Sequence, residues 1–123
     1  MPEYLSSEWF AQAGELVAGS AALAARTKGV RFVLLQTVED GDRSISWSIR
    51  IDDGRVSLVE GAVDDATVSF TCARATAAAI HSGSRSAQAA FIAGDLRVGG
   101  DISALLAHAS VFADLDDVLA PLR

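Results

Sequence analysis

The chain has 123 residues, of which 50% are hydrophobic and 21% are charged, a composition typical of one folded domain and not of a disordered chain. The net charge of −6, with basic residues scattered singly, argues against nucleic acid as a partner and against stable insertion into an anionic membrane. A single cysteine, Cys72, excludes an internal disulfide, and with only two histidines a Cys/His zinc site is not available. Because no apolar run is long enough to span a bilayer and no basic leader is present, we expect one cytoplasmic domain over residues 1–123.

The first predicted element is a helix over about Ser7–Ala25. Ser6 suits the N-cap because its hydroxyl can accept a hydrogen bond from an amide of the first turn. Leu5 and Phe10 have the spacing of a hydrophobic staple, which fixes how the chain enters the helix. Apolar residues then recur at helical spacing, and Gly29 is expected to end the element as a left-handed cap.

Two predicted strands follow, and a third is joined to them by a tight turn. The segment VRFVLLQTV (Val30–Val38) is apolar on both faces, whereas SISWSIRI (Ser44–Ile51) alternates between large apolar and polar residues. A two-residue turn at Asp53-Gly54 then pairs Asp52 with Arg55. This register places apolar residues opposite each other on one face and opposite charges on the other, so it is the expected one.

The hairpin between the first two strands has two possible registers. A two-residue loop pairs Glu39 with Asp42, which repel, whereas a three-residue loop pairs Glu39 with Arg43, which attract. The two registers turn opposite sets of side chains inward: Phe32 and Leu34 in the first, Val33 and Leu35 in the second. The charges favour the second register, and the choice stays open.

The second half of the chain predicts short elements in quick succession. They are a strand over Thr67–Cys72, a helix over Ala73–Ser82, a helix over Ala87–Ala93 capped by Ser86, a short strand at Leu96–Val98, and a last helix from Asp101. The sheet therefore has one apolar face and one face of Ser, Thr and Arg. The amphipathic helices must cover the apolar face, which gives a two-layer α+β domain.

The glycine-rich stretch AGDLRVGGD has the spacing of a phosphate-binding loop but not its chemistry. A P-loop continues after its second glycine with Lys and then Ser or Thr, whereas Gly100 and Asp101 follow Gly99 here. We therefore expect Gly94 to end a helix, Gly99 and Gly100 to form a tight bend, and Asp101 to cap the next helix.

No convincing catalytic or metal-binding set emerges from the sequence. His81 and His108 are interpreted as helix residues, Cys72 as a buried thiol, and neither histidine has a nucleophile at a recognisable spacing. The prediction is therefore no catalytic residue, no metal and no cofactor. Gln88 stands out because a single amide on an apolar wall could orient a lipid headgroup, although an exposed glutamine is the simpler interpretation.

The run SAQAAFIAGDLRVGGDISALL resembles the signature of the sterol carrier protein type-2 family. Gln88, Phe91, Gly94 and the Gly100-Asp101 pair fall on the positions that carry this signature, and the Trp-bearing second strand is similar as well. The resemblance implies a mixed, mostly antiparallel five-stranded sheet, helices on one face, and a hydrophobic cavity between the layers. Members bind sterols, fatty acids, fatty acyl-CoA and other lipids without covalent chemistry. Asp95 stands where the family usually has a basic residue, which makes a basic docking patch a poor expectation.

We therefore expect a non-enzymatic carrier of a small hydrophobic ligand, as a monomer or homodimer. The predicted cavity residues are Trp47, Ile49, Phe70, Ile80, Gln88, Phe91, Leu105, Leu106 and Phe112. One alternative is an isomerase or cyclase acting in the same cavity, which would need Cys72, Glu60 or His108 on its wall. Another is a packed interaction module with an apolar patch at Phe112 and Leu115 on the C-terminal helix.

Overall fold

A five-stranded sheet in the order β3-β2-β1-β4-β5 forms one layer of the protein, in a computed structural model that describes residues 2–122. The strands are β1 (Arg31–Asp40), β2 (Arg43–Asp52), β3 (Arg55–Glu60), β4 (Val68–Ala73) and β5 (Leu96–Gly100). β1 and β4 pair in parallel and the other neighbours are antiparallel. The predicted mixed, mostly antiparallel sheet of an α+β fold is therefore confirmed.

The helices form the second layer. They are α1 (Ser7–Gly19), α2 (Ala21–Arg26), α3 (Arg74–Ser82), α4 (Ala87–Ile92), α5 (Ile102–Ala107) and α6 (Ala109–Leu119), followed by a 3₁₀ turn at Ala120–Leu122. The core lies between the layers, where Trp9, Ala13 and Val17 of α1 are buried together with the inner faces of β1 and β2. Within residues 2–122, no helix is both long enough and apolar enough to cross a membrane.

The turn between β2 and β3 has the predicted register. Asp52 pairs with Arg55, and the next inward pair is Ile51 with Val56. Asp53 and Gly54 have φ angles of 47° and 88°, which are the two left-handed positions that a type I′ turn requires.

The turn between β1 and β2 corrects the sequence interpretation. Asp40 pairs with Arg43 across a two-residue loop, so neither of the two predicted pairings of Glu39 is present. Gly41, at φ 62°, occupies the first loop position, where a type II′ turn needs glycine. This turn still brings opposite charges face to face, but it shifts the register by one residue. Phe32 and Leu34 are therefore the buried pair, and the favoured inward set of Val33 and Leu35 was wrong.

Two predicted helices are each divided. Ser20 separates α1 from α2 by accepting a hydrogen bond from the Leu23 amide, so it caps a new helix within the predicted span Ser7–Ala25. His108 separates α5 from α6, with φ −113° and ψ 25°, although the apolar spacing runs through it. The predicted caps at Ser6, Ser86 and Asp101 are present.

The glycine pair after Val98 is part of a strand, so the predicted tight bend at Gly99 and Gly100 was wrong. Gly100 pairs with Val68 at the end of β5 and has φ 90°. A Cβ atom there would overlap the Thr67 carbonyl oxygen and lie 3.1 Å from the Val68 Cα atom. Glycine is therefore required by close contact between two strands, not by a turn or a phosphate.

Candidate functional site

A pocket of about 520 Å³ lies between the inner face of the sheet and the helices. Its floor is made by inner-face side chains of three adjacent strands: Leu34, Gln36 and Val38 of β1, Trp47 and Ile49 of β2, and Phe70 and Cys72 of β4. Its walls include Ala77, Ile80 and His81 of α3 and Phe112, Leu115 and Leu119 of α6. Most of this lining is aliphatic or aromatic, as in pockets that bind small apolar molecules.

The nine predicted cavity residues divide into two groups. The group that lines the pocket contains Trp47, Ile49, Phe70, Ile80 and Phe112. The group that does not line it contains Gln88, Phe91, Leu105 and Leu106. Gln88 is exposed, Phe91 and Leu106 are 54% and 72% exposed, and Leu105 packs against the core.

Two aromatic residues at the N-terminus, Tyr4 and Trp9, also line the pocket and were missed. The Tyr4 ring stacks on His81 with centroids 4.6 Å apart, and Trp9 packs edge-on against Trp47 at 5.6 Å. Burial raises the pKa of the Tyr4 phenol well above its ordinary value, so the phenol is neutral at physiological pH. This cluster gives one part of the pocket a rigid aromatic lining.

Gln36 is a polar residue on the pocket floor that sequence reasoning also missed. It shares the inner face of β1 with Leu34 and Val38, and its register partners are Trp47 on β2 and Phe70 on β4. The side chain is half-buried, and within residues 2–122 its amide forms no hydrogen bond. With the correct hairpin register, the sequence would have placed this amide inside.

Several other polar groups along the pocket already have partners. Arg85 forms an ion pair with Asp95 at 2.6 Å. The Nε2 atom of His81 donates a hydrogen bond to the Leu122 carbonyl oxygen at 3.2 Å. The Ser86 hydroxyl accepts a hydrogen bond from the Ala89 amide as the cap of α4. These groups therefore serve the fold and are less available to a ligand than Gln36.

The candidate residues for enzymatic chemistry are not brought together. Cys72 lines the pocket, whereas Glu60 and His108 do not. Burial raises the pKa of the Cys72 thiol, with a further contribution from the nearby Glu39 carboxylate. The thiol is therefore protonated near neutral pH, the less reactive state for a nucleophile. Within the described part of the chain, no group of three or more His, Cys, Asp or Glu side chains is placed to hold a metal ion.

The patch expected for an interaction module is not at Phe112 and Leu115. Leu115 is buried, and Phe112 packs edge-on against Phe32 with ring centroids 5.4 Å apart. The large apolar side chains that are exposed lie elsewhere: Val59, Phe91, Ile92, Ile102 and Leu106. The C-terminal helix thus contributes these two residues to the core and the pocket wall.

Comparison with known proteins identifies the family of this fold. The model of the SCP-2 sterol transfer family matches residues 10–113. A search of the curated proteins gives no match. Among solved structures, the crystal structure of a sterol carrier protein 2 has a TM-score of 0.78 and 19% identity over 96% of this chain and 98% of that one. A Thermus thermophilus protein described as possibly a sterol carrier protein has a TM-score of 0.77 and 20% identity, covering 97% of this chain and 89% of that one.

A third solved structure contains the same fold within a larger enzyme. The sec-alkylsulfatase Pisa1 from Pseudomonas matches with a TM-score of 0.55 and 14% identity, over 77% of this chain and 14% of that one. At these identities the structures are evidence for a shared fold and not for shared chemistry.

Proposed function

Because the chain belongs to the SCP-2 sterol transfer family, we propose that it binds and carries a small hydrophobic ligand, such as a fatty acid, fatty acyl-CoA or sterol, without covalent chemistry. The observation that supports this most directly is the pocket of about 520 Å³ between the sheet and the helices, with Trp47, Phe70 and Phe112 in its lining. We propose the pocket as the ligand site, and the protein as a cytoplasmic monomer or homodimer.

Hydrophobic burial is the main source of affinity that we expect for an apolar ligand in this pocket. A ligand that buries about 500 Å² of apolar surface gains roughly 12 kcal/mol at ~25 cal/mol per Å². At the lower end of the association cost, about 4 kcal/mol, roughly 8 kcal/mol remains, which corresponds to about a micromolar dissociation constant. No ionic contact is needed to reach this range.

The enzymatic alternative has less support. Its strongest candidate is Cys72, the residue of the proposed trio that lines the pocket, but the raised pKa keeps this thiol neutral. An acid–base reaction would also need a second titratable group beside it, and neither Glu60 nor His108 lines the pocket. We therefore favour binding over catalysis.

Filling the pocket from α3 tests the proposal. Ala77 is buried and lines the pocket, so the series Ala77→Leu, Ala77→Phe and Ala77→Trp places progressively larger side chains in the space for a ligand. Titration with a fluorescent fatty acid should show a stepwise loss of affinity, and the Trp variant should show no saturable binding.

The matched control is Ala11→Trp, because Ala11 is exposed on α1 and does not line the pocket. This variant should bind as the wild type does, and circular dichroism should show that each variant is folded. Undiminished binding by folded Ala77→Trp would refute the pocket as the ligand site.

A further inference from the structure

We propose that Gln36 is a specificity-determining residue that selects ligands carrying a neutral oxygen function, a hydroxyl or a carbonyl, within an otherwise apolar skeleton. This inference deepens the proposed carrier function and rests on it. Gln36 lies in the middle of β1, the central strand, with pocket-lining neighbours on both sides: Trp47 on β2 and Phe70 on β4. Because Gln36 lies at the middle of the pocket floor, a ligand oxygen that bonds to it would have to lie in the interior of the ligand skeleton.

The interior around Gln36 contains hydrogen-bond donors without acceptors. Within residues 2–122 the Gln36 amide has no hydrogen-bond partner. The side chains of Trp9 and Trp47 also line the pocket, and their indole Nε1 atoms are buried with no hydrogen-bond partner in the part of the chain that the structure describes. The Gln36 amide is half-buried, so an apolar ligand that covers it removes it from water without a partner, and a ligand that supplies an oxygen at this point offsets that cost.

The charges along the pocket favour a neutral oxygen over a carboxylate. The Arg85 guanidinium is already paired with Asp95, and the His81 ring donates to the Leu122 carbonyl. Asp116 adds an acidic group to the lining. An ionised carboxylate held at Gln36 would thus be removed from water with no dedicated cation to offset the loss of hydration. A hydroxyl or carbonyl avoids this cost and can still bond to an amide.

The test compares molecules with one skeleton and different oxygen functions. The probes are 5-nonanol, 5-nonanone, n-nonane and nonanoate, with the intrinsic fluorescence of the pocket-lining tryptophans as the readout. Gln36→Leu removes the amide at similar volume, and Gln36→Met is a second variant of the same kind. We expect either variant to weaken binding of the alcohol and ketone about five- to tenfold, as for the loss of one buried hydrogen bond. Binding of nonane should be unchanged or tighter.

Two further glutamines make the comparison specific. Gln12→Leu is the matched control, because Gln12 lies on α1 and its side chain bonds to Glu8 away from the pocket. Gln88→Leu tests the sequence-based prediction directly, because Gln88 is exposed and lies outside the pocket lining. We expect both variants to retain the wild-type preference for the alcohol over nonane.

The outcomes separate the two proposals. If wild type binds the probes and the alcohol-to-nonane affinity ratio is the same in Gln36→Leu, the role of Gln36 is refuted while the carrier function stands. A ratio that changes in Gln88→Leu and not in Gln36→Leu assigns selection to Gln88 and also overturns the inference. If none of the four probes binds to wild type, the carrier function fails for these ligands and the inference falls with it.

Discussion

Replacing Gly100 by alanine tests the strand pairing that closes one edge of the sheet. Gly100 has φ 90° and lies opposite Val68, with β4 so close that a Cβ atom would overlap the Thr67 carbonyl oxygen. The left-handed backbone costs an alanine about 1–2 kcal/mol. Relieving the overlap requires the backbone of β4 or β5 to shift, which adds about 1–3 kcal/mol. The expected loss in the free energy of unfolding is therefore about 2–5 kcal/mol.

Gly94→Ala separates the two contributions. Gly94 has φ 83°, but nothing lies within 4 Å of the position where a Cβ atom would be built. This variant should lose only the backbone part, about 1–2 kcal/mol. Urea denaturation at constant pH measures both, and the midpoint of thermal unfolding should fall by about 4 °C for each kcal/mol lost. Equal destabilisation of the two variants would refute the close contact between Gly100 and the backbone of Thr67 and Val68.

Two other predictions concern titratable groups. The raised pKa of Cys72 predicts that its thiol reacts slowly with a thiol reagent at about pH 8 in the native protein. Because Cys72 lines the pocket, a bound ligand should slow this reaction further. Equal rates with and without ligand would place Cys72 away from the ligand. Two hydrogen bonds from the Arg50 guanidinium lower the pKa of the Asp65 carboxyl group in the folded state. The stability that Asp65 adds is therefore complete above the ordinary aspartate pKa of about 4. It is lost as the pH falls through the lower pKa of the folded state. Urea midpoints of wild type and Asp65→Asn should accordingly differ most at neutral pH and converge in acid, whereas a constant difference would contradict this assignment.

The features that could be predicted from sequence are those decided by neighbouring residues. The Asp53-Gly54 turn follows from residue types with left-handed preferences and from the alternation of β2 beside it. The caps at Ser6, Ser86 and Asp101 are equally local. The break between α1 and α2 could have been predicted in the same way, because Ser20, a residue type that favours a helix N-cap, follows Gly19.

The register of the first hairpin could not be decided in this way, and the error had consequences for the site. Several turns fit between Glu39 and Arg43, and two of them bring opposite charges together. A shift of one residue exchanges the two faces of β1. The favoured register turned Gln36 outward, so the amide on the pocket floor was missed.

Which predicted residues line the pocket also depends on packing that the sequence does not specify. In the chain, α4 and α5 flank β5, which is one of the two edge strands of the sheet, and each helix has only six residues. Only part of each short helix can face the space between the layers, and Phe91 and Leu106 point largely to solvent. The break at His108 has no glycine or proline to announce it; there the histidine ring packs against Phe32 at 5.8 Å.

The measurement that tests the carrier function most directly is native mass spectrometry of gently purified protein, followed by organic extraction of the same sample. We predict a mass above that of the 12.8 kDa chain, or of its dimer, and an apolar molecule in the extract. The extracted molecule should rebind to the stripped protein and be excluded by Ala77→Trp. A ligand-free protein that shows no saturable binding of fatty acids, fatty acyl-CoA or sterols would contradict the account.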